Sequence, residues 1–262
     1  MISIYDWFGY ELPINERYNL IKKAGFDGVL LWWSDGFGRG EYRNGVEYAR
    51  KAGLFVENIH TPIEHQNDLW ADNIDGQAEL ECYLECIKDC AEFEIPTMVV
   101  HLPEEEYIPN KLAMDRINKI AEKAEQYGIN VAMENVGNKS NLTFVLDRVK
   151  SERVGFCYDC CHHQNYCKDT DLLSMYGDRL MALHLHDNGG ERHQHQLPFD
   201  GSIEWDNIMK DIAKTGYKGP TSLEPMNWDY TDLSASDFLR KAFKKAEKLD
   251  VIRKNSCFTC KI

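Results

Sequence analysis

The sequence predicts an α/β chain folded as a single (β/α)8 TIM barrel. Three observations carry this: short β-rich runs alternate with amphipathic helical patterns along the whole chain, the runs number eight, and 262 residues suit a one-domain barrel of roughly 250.

The runs are, in order, ISIYDW, GVLLWW, LFVENIH, TMVVHL, NVAMEN, VGFCYD, LMALHLH and PTSLEP. Helical patterns lie between and after them, around residues 14–24, 41–52, 75–93, 111–127, 141–150, 169–176, 204–215 and 234–249. Gly128 and Gly216 each stand between a helix and a strand, where a left-handed C-cap is expected, and Pro96 stops the chain before the fourth strand. A doubly wound open sheet is the competing arrangement, but no GxGxxG or Walker-type loop accompanies these strands. No Pro/Ser-rich linker, low-complexity tract or repeat divides the chain. The expected organisation is a catalytic barrel over residues 1–250 and a tail over 251–262 carrying the CxxC pair Cys257 and Cys260.

Composition narrows the function. The 43 acidic against 30 basic residues give a net charge of −13, which repels phosphate backbones and makes nucleic acid a poor partner. The start, MISIYDWFGYEL, lacks the basic and apolar segments of a signal peptide, and no run approaches the roughly 20 apolar residues that span a bilayer. A cytoplasmic protein acting on a small molecule, away from membranes, is expected. Its nine cysteines are then expected as reduced thiols, with Cys82, Cys86 and Cys90 forming a buried small-residue stripe along one helix. Homo-oligomerisation is compatible with this fold, but the acidic surface gives it no direction.

In such a barrel the chemistry gathers at the C-terminal ends of the strands. Reading each strand to its end gives His60, His101, Glu134, Asp159, His184 and Glu224 on six successive strands. These residues face the barrel mouth if Val99, Ala132, Cys157, Ala182 and Ser222 share their inward face, with Val100, Met133, Phe156, Leu183 and Leu223 outward. Glu57 falls outward in that register, as an unexplained charge. Singly, a strand-end histidine or carboxylate is an ordinary core or capping residue. Together, Glu134, Asp159 and Glu224 converge, and two carboxylates about 5 Å apart repel by about 3 kcal/mol at an effective dielectric near ~20. Three need a cation or protons, and neighbouring imidazoles favour zinc, manganese, cobalt or iron over calcium. His162, three residues after Asp159, and the His193/His195 pair lie on the same rim and can hold a further ion or touch substrate. His186 shares the inward face with His184 and can contact substrate or support a ligand, whereas His65 and His163 have no assigned role.

The ordered set formed by His60 in HTP, His101 in VVHLP, Glu134 in MEN, Asp159 and His162 in YDCCH, His184 in LHLHDN, the HQHQLPFDGSIEW segment and Glu224 in GYKGPTSLEP resembles the xylose isomerase-like TIM-barrel superfamily. That group contains sugar phosphate isomerases/epimerases and endonuclease IV-type apurinic-site nucleases (AP endonuclease family 2). The resemblance implies a central metal site of Glu134, Asp159, His184 and Glu224. In the nuclease-like pattern His60 and His101 join Glu134 around another ion, and His162 joins the loop pair around a third. That pair's first member is here His193 and not Asp, so the third site loses an anionic ligand.

Two enzymatic readings follow. The first is a divalent-metal isomerase or epimerase of a sugar, sugar phosphate or related hydroxy-carbonyl compound, using one to three ions of Zn, Mn or Co, with Glu134 and Glu224 moving protons at an enediolate-like centre. Its substrate contacts are expected from His162, His186, Arg192 and Trp33. Trp7, Trp70 and Trp228 also lie near strand ends, and Arg39 and Arg43 join Arg192 as rim cations, enough for one phosphate or carboxylate. The alternative is a multi-zinc phosphodiester hydrolase, disfavoured by the acidic loops HTPIEHQNDLW, HLPEEEYIP and EPMNWDYTD. A barrel keeping its metal only as a structural element would be expected to have lost a carboxylate.

Overall fold

A computed structural model describes residues 1–34, 42–104, 106–137, 139–190 and 193–259. Eight parallel strands form the barrel: β1 (Ile2–Tyr5), β2 (Gly28–Trp32), β3 (Phe55–His60), β4 (Thr97–His101), β5 (Asn130–Glu134), β6 (Val154–Asp159), β7 (Leu180–His184) and β8 (Thr221–Leu223). Their order is β7-β6-β5-β4-β3-β2-β1-β8. The ring closes where Leu185 N–H donates to Ser222 O and Glu224 N–H to Leu185 O, both at 3.0 Å.

Around the ring lie α1 (Ile14–Ala24), α2 (Asn44–Lys51), α3 (Ile74–Glu92), α4 (Lys111–Tyr127), α5 (Lys139–Leu146), α6 (Cys160–Tyr166), α7 (Leu172–Tyr176), α8 (Trp205–Thr215) and α9 (Ala235–Thr259). The long helices are stopped by local chemistry. Asn73 and Asn110 cap α3 and α4 by accepting from Gly76 N–H and Ala113 N–H, and Gly128 ends α4 in the left-handed region at φ 72°. α9 runs unbroken across the expected boundary between residues 250 and 251, from Ala235 to Thr259. Cys260 and the side chain of Cys257 lie outside the described residues, so the CxxC pair has no structural account.

The core divides as the strand alternation requires. Val99, Ala132, Cys157 and Ala182 pack together inside the ring. Val100, Met133, Phe156, Leu183 and Leu223 join the larger cluster between strands and helices. The expected register is therefore the observed one on β4 to β8. β3 departs from it. Val29 pairs with Val56 but Leu30 with Asn58, so Glu57 is the extra residue of a bulge. Its carboxylate does not face the helices as expected; it accepts from the inward Ser222 hydroxyl at 2.9 and 2.7 Å. A strict two-residue period cannot anticipate a skipped residue.

Candidate metal centre

The site lies where six strands end. Glu134, His184 and Asp159 terminate β5, β7 and β6, and each is almost fully buried. Asp159 Oδ1 accepts from His162 N–H at 2.7 Å as the N-cap of α6, and His186 Nε2 donates to Asp159 Oδ2 at 2.8 Å. Asn135 braces this strand end: its Nδ2 donates to Asp159 O and its Oδ1 accepts from Asp159 N–H, both at 2.8 Å.

His60 and His101 show how imidazoles are aimed. His60 Nδ1 is 2.9 Å from Thr61 O, and His101 Nδ1 is 2.9 Å from Gln66 Oε1. Each oxygen accepts the ring proton, so both Nε2 atoms turn lone pairs toward one point beside Glu134. These Nε2 atoms lie 3.2 Å apart, and 3.5 and 3.2 Å from Glu134 Oε2. Two facing lone pairs repel unless something positive lies between them. The edge of a tetrahedron around an ion with bonds of about 2.05 Å is about 3.3 Å, which matches this spacing.

Further donors converge. His184 Nδ1 is 3.0 Å from Glu134 Oε2 and 3.6 Å from Glu224 Oε2, and His162 Nδ1 is 3.0 Å from Glu134 Oε1. Glu134 Oε2, His162 Nδ1, both nitrogens of His184, His186 Nδ1 and His193 Nε2 are buried without a satisfying hydrogen bond. Such atoms are costly in a folded interior unless a ligand completes them. Donor atoms of Asp159, His184 and Glu224 lie within 4.8 Å of one another, as do those of His60, Glu134 and His184 and those of Asp159, His162 and His193. The donor set thus fits divalent cations.

The electrostatics agree. Burial alone would raise the pKa values of Glu134 and Asp159, but the histidines outweigh it and hold both carboxyls down: His184 and His101 for Glu134, His162 and His186 for Asp159. Glu224 is displaced upward, chiefly by burial, with the charges of Glu134 and Asp159 adding to the effect against His184. Burial would depress His162, yet Asp159 and Glu134 raise it to about 9. His193 falls to about 3 through burial and the charges of His162 and His186.

Above this floor opens a cavity of 710 Å³. Tyr5, Trp7, Trp32, Met226 and Trp228 line one side, Gln66, Asn67, Glu104 and Glu106 another, and His60, His101, Glu134, His162, His193, His195 and Glu224 the base. Two expected substrate contacts are corrected. Trp33 is absent from the lining; it points outward and donates from Nε1 to Asp89 on α3 at 2.8 Å, because it alternates with Trp32, which takes the cavity face. His186 is fully buried behind Asp159. Arg43 is also turned away, paired with Asp89 at 2.6 Å, while Arg39 and Arg192 lie outside the described residues. Trp70 packs in the core against Phe144, and His163 links Tyr158 to Thr170 O. Gln66 and Asn135 were missed by sequence reasoning, since neither ends a strand in a ligand pattern; the only hints were that Asn135 closes the MEN motif and that Gln66 follows HTP by four residues.

A family model described as xylose isomerase-like TIM barrel matches residues 18–243. Among curated proteins, the uncharacterised y4fM of Sinorhizobium fredii is 41% identical over 108 residues, covering 40% of this chain and 34% of that protein. The inosose isomerase of Halalkalibacterium halodurans is 25% identical, covering 58% and 59% respectively. The probable endonuclease 4 of Mycoplasma capricolum is 26% identical, covering 60% and 64%. The chain thus spans from about a third to just under two thirds of the length of these relatives. Two solved structures share the fold. One, a D-tagatose 3-epimerase-like protein, has TM-score 0.74 and 20% identity over 99% of both chains. The other, an IOLI protein with a binding zinc atom, has TM-score 0.76 and 17% identity over 97% of this chain and 98% of that one.

Proposed function

Because this chain belongs to the xylose isomerase-like TIM barrel family, we propose that it is a divalent-metal isomerase or epimerase of a small sugar-like hydroxy-carbonyl compound. The observation that carries the proposal is the convergence of orphaned imidazole nitrogens on Glu134, Asp159 and Glu224 at the base of a cavity with an aromatic wall. Asp159, His184, Glu134 and Glu224 would hold the central ion, and His60 and His101 would serve a neighbouring position with Glu134. When bound, the ion polarises the substrate carbonyl and lowers the cost of enediolate-like charge. Glu134 and Glu224 move the proton. His184 stands between their carboxylates, and their environments push their pKa values apart, Glu134 downward through His184 and His101 against burial and Glu224 upward through burial. The aromatic wall takes the apolar face of the sugar, and His162, His193 and His195 meet its hydroxyls or a further ion. Inosose isomerase and the epimerase-like neighbour support this class by their names alone.

The His60/His101/Glu134 cluster favours one further reading, a multi-zinc phosphodiesterase like the endonuclease 4 relative. Charge weighs against it: three carboxylates balance one or two divalent ions better than three, and His193 adds no anion. The test is solvent exchange at carbon. Ketoses incubated in heavy water with metal-loaded protein should acquire deuterium beside the carbonyl and yield an isomer. No incorporation across ketoses and inososes, together with nicking of abasic-site DNA, would favour the hydrolase.

A further inference from the structure

His193 and His195 ride on the loop between β7 and α8, whose described residues, 187–190 and 193–204, form no strand or helix of their own. Asp187 organises it. This side chain is fully buried, and its carboxylate accepts four N–H bonds: Oδ1 from Asn188 N at 2.9 Å and Ile203 N at 3.1 Å, Oδ2 from Phe199 N at 2.8 Å and Trp205 Nε1 at 2.7 Å. All four partners are donors, a set suited to an acceptor-only group. Its backbone adds a reciprocal pair of 2.8 Å bonds with Gln196, next to His195. Gly201 closes the turn so tightly that a Cβ there would stand 2.3 Å from Asp187 Oδ1. The loop in turn grips the end of β8: His195 Nδ1 is 2.8 Å from Glu224 O, and Met226 N–H donates to His195 O at 2.8 Å.

We propose that Asp187 is the positioning residue of this half of the site, clasping both ends of the loop so that His193 and His195 face His162, His186 and Glu224. It touches no reacting atom and acts through the loop. The loop histidines, His193 half-buried and His195 buried, lie beside His162 and His186, with ring centroids 4.4 Å apart for His162 and His193 and 4.0 Å for His186 and His195, so they report displacement directly.

The test is diethylpyrocarbonate modification with peptide mass spectrometry, alongside amide hydrogen exchange, on the full chain. Asp187→Asn places two donors against N–H groups, and should raise modification of His193 and His195 and exchange over residues 188–204 by about tenfold, while His60 and His101 change little. Trp205→Phe removes one donor but keeps an aromatic ring, and should give a smaller rise confined to the same residues; it carries the test alone if Asp187→Asn does not fold. Loop histidines that react as in the unmodified protein, or a rise shared equally by His60 and His101, would overturn the proposal.

Discussion

Glu57 illustrates how a single bulged residue changes the interior of the barrel. Burial pushes its pKa up to about 7 against the hydrogen bonds from the Ser222 hydroxyl. For an acid whose folded pKa exceeds its unfolded value, the associated stability is present below about 4.5 and lost as pH rises through about 7. Glu57→Gln keeps the shape without the titration. The stability of the natural chain relative to this variant should fall by up to about 3 kcal/mol across that window, measured by urea denaturation at each end. A difference independent of pH would mean that Glu57 is solvated. At the mouth, Glu134→Gln and Glu224→Gln should each reduce turnover by about 10² to 10⁴ with the fold intact by circular dichroism. Full activity in both variants would remove them as the proton-transfer pair. The convergence at the mouth was legible because strand-end position alone selects six residues. His186 took the supporting place beside Asp159 that its inward position allowed, Trp33 was misplaced because nearness to a strand end was read without its alternation with Trp32, and Glu57 because a bulge depends on pairing that one sequence does not reveal.

Among the elements, all eight strands were legible, since a short apolar run recurs at each one and Gly or Pro stands before most of them. Helices were less so. α6 was not anticipated, because YDCCHH reads as the end of a strand; seven residues are too few for a periodic pattern, and the helix depends on Asp159 capping it. Asp159 therefore serves both as a cap and as a candidate ligand. α9 was expected to stop near residue 249 but continues to Thr259. At α4 the Asn110 cap, whose Oδ1 accepts from Ala113 N–H at 3.0 Å, should be worth about 1 kcal/mol. Asn110→Ala should lower the unfolding free energy by that amount without altering turnover, because α4 lies outside the ring; a loss of activity at full stability would tie this helix to the site.

For the molecule as a whole, barrel closure brings together residues more than a hundred positions apart in the sequence, such as His60 and His184 with ring centroids 5.6 Å apart. The carboxylates cannot crowd at this point without compensation, and the histidines packed against them are residues that a divalent ion would also bind. Among the described residues no helix is long and apolar enough to cross a membrane. The most direct measurement is metal content per chain, by elemental analysis of gently purified protein and of protein reloaded with Mn, Co or Zn. The account predicts at least about one tightly held ion, weakened by Asp159→Asn; a chain that binds none after metal addition would contradict it.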